Sequence, residues 1–167
     1  MKAGTMLFIV LVVLLGCKKG SSPNITLSTN LTDCAANSTC TYSYFDDADF
    51  INASPPVQGS FRVFSYQSVN QNVCGATSQF IFKAPLNDAE FDITANQIAA
   101  GSVFANDFIC PCCDYALLFK PIGGEIKGKR TDGTHWLVNA SIIFGTSATT
   151  PVDTIVVNQY FTRQPLP

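Results

Sequence analysis

Along the chain, polarity falls into two regimes. Near the start, Leu7 to Leu15 is an unbroken run of nine apolar residues. A membrane-spanning helix needs roughly 20, so this run is too short to be one. Further on, apolar and polar residues alternate in short stretches rich in β-branched and aromatic types, the pattern of strands with one buried face. Phe61 to Val69 is one such stretch. Ser78 to Lys83 is a second, ended by Pro85, and Tyr115 to Lys120 a third, ended by Pro121.

The last third alternates most regularly. Between Glu125 and Thr131, Glu125, Lys127 and Lys129 point one way and Ile126 and Gly128 the other. Asp132-Gly133 follows, a two-residue hairpin signal. The return strand, His135 to Phe144, sets Trp136, Val138, Ala140, Ile142 and Phe144 on one face. A polar loop is expected from Gly145 to Pro151. A last strand, Asp153 to Arg163, carries Ile155, Val157, Gln159 and Phe161 on one face.

Asn87 to Gly101 admits two readings. Asn87 can cap a helix that stops at Gly101, or Phe91 to Thr94 can be a strand followed by one helical turn; the second is favoured. Several strands with little helix predict an all-β fold, an antiparallel sandwich with a Greek-key path. No repeat or internal linker divides the body, so residues 24–167 are expected to form one domain.

The apolar run follows Lys2 and ends in Leu14-Leu15-Gly16-Cys17. Its length suits a signal-peptide core, and the four residues resemble the bacterial lipobox. That resemblance implies that residues 1–16 are removed and that Cys17 carries the lipid. Two or more acyl chains anchor a protein stably without a transmembrane helix. Residues 17–23 then read as a polar, flexible tether. Lys18 stands where aspartate marks inner-membrane retention in enterobacterial lipoproteins, which favours the outer membrane. Acidic residues after the lipid cysteine mark surface export in some Bacteroidota lipoproteins; this chain has Lys18 and Lys19. The order of lipobox, tether and β-rich domain is similar to that of Bacteroidota envelope lipoproteins. The partner so implied is the membrane itself, through the lipid on Cys17.

Cleavage would leave 151 of the 167 residues, enough for a real core, and a net charge of −3. So sparse and acidic a surface argues against nucleic acid as a partner. Apart from Cys17 there are six cysteines, Cys34, Cys40, Cys74, Cys110, Cys112 and Cys113, the even number that an oxidising compartment predicts. Cys34 and Cys40 flank a short loop. Cys112 and Cys113 are adjacent and poorly placed to bond each other. Cys110 and Cys113 have C-x-x-C spacing, which would leave Cys74 for Cys112.

The Cys110-Pro111-Cys112-Cys113 cluster also has the residue types of a thiol-redox or soft-metal site. The helix that should follow a thioredoxin-like pair is missing from the pattern, and structural disulfides are favoured. His135 is the one histidine, with no nucleophile motif to accompany it. Asp46, Asp47 and Asp49, and then Asp88, Glu90 and Asp92, supply hard oxygens for calcium or a carboxylate pair, but no EF-hand spacing. Lys127, Lys129 and Arg130 form a basic stripe that suits a solvated strand face. Asn-x-Ser/Thr triplets at Asn24, Asn30, Asn37 and Asn139 have no ordinary use in a bacterial lipoprotein. Asp153-Thr154-Ile155 resembles a Bacteroidota O-glycosylation motif.

No catalytic constellation, metal site or cofactor is assigned. The expected function is that of a non-enzymatic, lipid-anchored envelope module that binds another envelope protein or a glycan. A thiol-redox or metal-binding factor, and a calcium- or carbohydrate-binding module, are the alternatives.

Overall fold

The computed structural model describes residues 25–52, 54–112 and 119–167. Cys17, the tether, Cys113 and most of the expected 115–120 strand lie outside them. The strands are β1 Ser38–Asp49, β2 Val57–Gln58, β3 Phe61–Asn70, β4 Ala76–Pro85, β5 Glu90–Ile93, β6 Val103–Ile109, β7 Lys120–Arg130, β8 His135–Ser147 and β9 Thr150–Arg163, with one short helix, α1 Ala95–Ala99. The all-β, helix-poor, disulfide-stapled class therefore stands.

Its arrangement differs from a two-sheet Greek-key sandwich. The strands form one sheet in the order β5-β7-β8-β9-β1-β3-β4-β6, with β2 beside β1, curled into a half-barrel. The meander β7-β8-β9 and the meander β1-β3-β4 are joined edge to edge by a parallel pairing of β1 with β9, Ser43 against Thr162. That pairing leaves no second sheet. The curl brings the two ends together over the core: Phe91 of β5 and Phe82 of β4 have ring centroids 5.3 Å apart.

Alternation fills the inner face. Trp136, Val138, Ala140, Ile142 and Phe144 are all buried, as are Ile155, Val157 and Phe161. Phe64 sits among them, 5.0 Å from Phe82, 5.0 Å from Phe91 and 5.4 Å edge-on from Trp136. Rings packed this way add about 0.5–1.5 kcal/mol per pair beyond their burial. Phe91 lies opposite Gly128 in the β5–β7 register, and a Cβ on Gly128 would come within 2.2 Å of that ring. The glycine that alternation marked as inward is thus the floor on which Phe91 rests.

The segment 87–101 forms a strand and then a helical turn. Thr94, rather than Asn87, caps the helix, its backbone N–H donating to the Gln97 side chain at 2.8 Å. Gly101 follows with φ +90°, the left-handed conformation that favours glycine at a helix end. Three local expectations change. The 131–134 connection is longer than a two-residue turn, because Thr131 and His135 still bond each other, N–H to carbonyl, at 3.0 Å. Pro121 lies inside β7 instead of ending a strand; it stands at an irregularity between Pro121 and Gly123, where a missing N–H is tolerated. The polar Gly145–Pro151 segment is mostly paired strand, with Ser147 opposite Thr150.

By register, the end of β1, the starts of β3, β5 and β8 and the ends of β7 and β9 meet at one rim of the half-barrel. Both described disulfides lie at the other end.

Candidate binding surface

At the disulfide end, Cys34 bonds Cys40 and Cys74 bonds Cys112. Cys110 is also oxidised in a disulfide, with its partner outside the described residues. Its Sγ lies 3.9 Å from that of Cys112, so these two sulfurs of the cluster lie side by side.

The acidic residues do not converge. In β1 the register steps from Phe45–Val63 to Ala48–Phe61, so Asp46 and Asp47 together oppose Arg62. This is a β-bulge, with Asp47 at φ +52°. Asp46 keeps the inward phase of Tyr42 and Tyr44, and the bulge shifts the phase beyond it, so that Ala48 joins the outer-face cluster. On the inner face Asp46 accepts from Arg62 Nε at 2.6 Å and forms an ion pair with Arg163, whose Nε is 3.1 Å away. Arg62 is buried, and its guanidinium lies 4.7 Å from the Trp136 ring centroid and 5.7 Å from that of Tyr44. Asp49 pairs with Lys83 and Glu90 with Lys129. In both, the hydrogen bond from the lysine holds the carboxyl below its ordinary range. Lys127 pairs with Glu125, so the basic stripe is partly neutralised on its own strand. Among the described residues, no group of three or more His, Cys, Asp or Glu side chains is placed to hold a metal ion.

His135 has a carboxylate beside it, but not in the geometry of a triad. Asp132 and the Thr134 hydroxyl both approach Nδ1, each at 3.0 Å. A nucleophile must face the ring nitrogen opposite the carboxylate. Asp132 acts instead as a turn cap, accepting the N–H groups of Thr134 at 2.7 Å and His135 at 2.8 Å. The Thr134 N–H, ahead of the His135 side chain, keeps the Asp132 carboxyl low.

Residues 25–33 form an extended strap across the outer face of β8 and β9. Asn139 and Asn158 are a cross-strand pair pointing outward. The Asn139 amide donates to the Asn158 side chain, and the Asn158 amide to the Asn30 carbonyl. Asn139 Oδ1 accepts from Ser28 N–H at 2.7 Å. Thr32 N–H donates to the Asn158 carbonyl at 2.9 Å, and Gln159 Nε2 to the Thr32 carbonyl at 2.9 Å. The strap buries Asn158 on what is otherwise a solvent face. Its first described residue, Ile25, donates its N–H to Glu90 Oε2 at 3.4 Å, close to the rim. Thr154, in the O-glycosylation-like triplet, is exposed on β9. A buried hydrogen-bonding group left without partners costs about 1–3 kcal/mol. Asn158→Ala is therefore expected to lower stability by about 1–2 kcal/mol and to open the 25–33 segment to proteases, read by denaturant melts and limited proteolysis.

The outer face of β1, β3 and β4 carries a second, smaller core near the rim. Ala48, Val63 and Ile81 are buried there, with Phe45, Phe50, Phe104 and Leu166 packed against them. Beyond it, Ile51, Val57 and Phe61 stand exposed. Lys83 extends between two aromatic rings, its Nζ 5.1 Å from the Phe50 centroid and 5.3 Å from that of Phe61. A cleft of about 570 Å³ beside it is bordered by Phe50, Asn52, Lys83 and Phe104. Nothing in the alternation singled out this patch, because its members come from two strand faces and a loop. Comparison with protein-family models, with curated proteins and with solved structures finds no match.

Proposed function

We propose that the chain is a lipid-anchored protein of the bacterial cell envelope whose β-domain is a non-enzymatic binding module. The observation that carries this reading is the strap. The chain that follows the lipobox and tether is fastened to the outside of the domain by side-chain amides and then by the Cys34–Cys40 bond. A load applied at Cys17 would meet this fastening before it reached the strand ladder. The non-enzymatic part rests on the commitment of the reactive groups: Asp46 to two arginines, Asp132 to a turn, and the inner face to packed rings. What remains for recognition is the outer surface, including the aromatic and lysine cleft. A protein or a glycan are the two partner classes suited to it.

Intact mass spectrometry of protein purified from bacterial membranes tests the reading, alongside a Cys17→Ala variant. The expected result is a lipid-sized increment that the variant loses, with no free thiols under non-reducing conditions. A native chain without the increment would overturn the anchor.

A second reading has one observation in its favour. Cys110 Sγ is within 3.9 Å of Cys112 Sγ, so a thiolate formed at Cys110 by reduction would lie within reach of the Cys74–Cys112 bond. Free thiols in the native protein would move the function to thiol exchange.

A further inference from the structure

We propose that the rim of the half-barrel is a docking surface for a phospholipid bilayer, with Ile51 at its tip. The proposal rests on the reading of Cys17 as the lipid-bearing residue.

Two independent features meet at this rim. The first is the position of Ile25. Ile25, the first described residue, is tied to Glu90 at the start of β5, so the described chain begins on the rim side, away from the disulfides. Only eight residues, Cys17 to Asn24, separate the lipid from Ile25. Fully extended they reach at most about 26–29 Å, roughly one domain width. The rim is thus the part of the domain held nearest the membrane.

The second is the apolar patch. The segment after β1 is folded into a turn by the Ser54 N–H on the Ile51 carbonyl, at 3.2 Å, with Asn52 at φ +55°. It displays Ile51 at 72% exposure; Val57, opposite Asp49 at the end of β1, and Phe61, opposite Ala48, are exposed at 53% and 38%. Single exposed apolar residues are common on any protein. Here three are gathered at the end where the described chain begins. Lys83 sets a cation at the edge of the patch, its Nζ 5.1 Å from the Phe50 centroid and 5.3 Å from that of Phe61 and paired with Asp49. Near the rim, Asp46, Asp49 and Glu90 are each paired with a cation, which lessens their repulsion from an anionic lipid surface, while Asp47, Asp88 and Asp132 stand exposed.

The test uses the full lipidated protein in phosphatidylethanolamine–phosphatidylglycerol vesicles doped with phosphatidylcholine brominated on its acyl chains. Trp136 is the one tryptophan and is fully buried, so it supplies a constant background. Ile51→Trp places a reporter at the rim. Ala148→Trp places one in the exposed turn between β8 and β9, at the opposite end. The expected result is loss of most of the emission added by Ile51→Trp when brominated lipid is present, and none of that added by Ala148→Trp. Mass spectrometry of the same samples reports the lipid on Cys17. Lipidated protein whose rim reporter is not quenched, or whose two reporters are quenched alike, overturns the docking surface and leaves the anchor standing. Protein without the lipid increment overturns the anchor, and the docking proposal with it.

Discussion

Replacing Arg62 with alanine is expected to lower the stability of the domain by about 3–5 kcal/mol, the usual cost of removing one partner of a buried ion pair. Arg62 is 5% exposed and has several contacts to lose. Its Nε holds Asp46, its guanidinium lies against Trp136, and Nη1 reaches the Asp88 carbonyl at 3.4 Å. After truncation Asp46 keeps only Arg163, whose side chain is half exposed. Asp46→Ala should cost nearly as much, because the guanidinium then stays buried without its counter-charge. Replacing both partners separates this account from simple loss of packing. Arg62→Met with Asp46→Ala should recover most of the loss, since a desolvated pair exchanged for apolar groups is often neutral. Urea melts of the three variants supply the numbers. Single variants that each cost under about 1 kcal/mol would show that water reaches the pair and screens it.

Half of that site was legible in the sequence. Alternation from Phe64 and Tyr66 back along β3 puts Arg62 on the core face, and a charge on a core face requires a partner. Which partner was not legible. In a regular strand Asp47 and Asp49 share one face and Asp46 takes the other, and the bulge removes that regularity beyond Asp46 by opposing two residues to one. Each aspartate then goes to a different environment: the inner pair, the bulge itself, and Lys83 on the outer face.

The strap shows a second kind of limit. Ser28, Asn30 and Thr32 find their partners more than 100 residues away in Asn139 and Asn158. Those bonds run through side-chain amides and hydroxyls, which impose no period on the sequence. The strands, by contrast, were legible because burying one face of a sheet demands a period of two, whatever the neighbours. The order of the strands was not. A sandwich and a half-barrel ask the same alternation of each strand, and the difference lies in the short parallel pairing of β1 with β9. The Asp132-Gly133 signal failed for a local reason. A two-residue turn of the expected type needs positive φ at both positions, and neither residue has it; the Asp132 carboxylate closes a longer loop instead.

Removal of the Cys74–Cys112 bond is the other large effect expected. The bridge spans a sequence separation of 38, for which chain entropy gives a stabilisation of about 4 kcal/mol. In a domain of this size that corresponds to a fall in melting temperature of about 8–16 °C. The double variant Cys74→Ala/Cys112→Ala is the one to measure. Replacing Cys112 alone frees the Cys74 thiol beside the Cys110 sulfur, inviting a new bond and masking the loss. The backbone adds a second term. Cys74 has φ +49° and Gly75 φ +72°, so a residue with a Cβ sits in the left-handed region at the β3–β4 turn, at a cost of roughly 1–2 kcal/mol. Cys74→Gly/Cys112→Ala should therefore be more stable than the double alanine variant by up to about 1 kcal/mol, offset in part by the greater freedom of glycine in the unfolded chain. Thermal melts under non-reducing conditions separate the two contributions. A double alanine variant that melts within about 2 °C of the native chain, an effect below roughly 1 kcal/mol, would mean that pairing of β4 with β6 already confines the loop. The bond would then be needed for something other than stability, and the sulfur cluster at Cys110 and Cys112 would become the place to look for it.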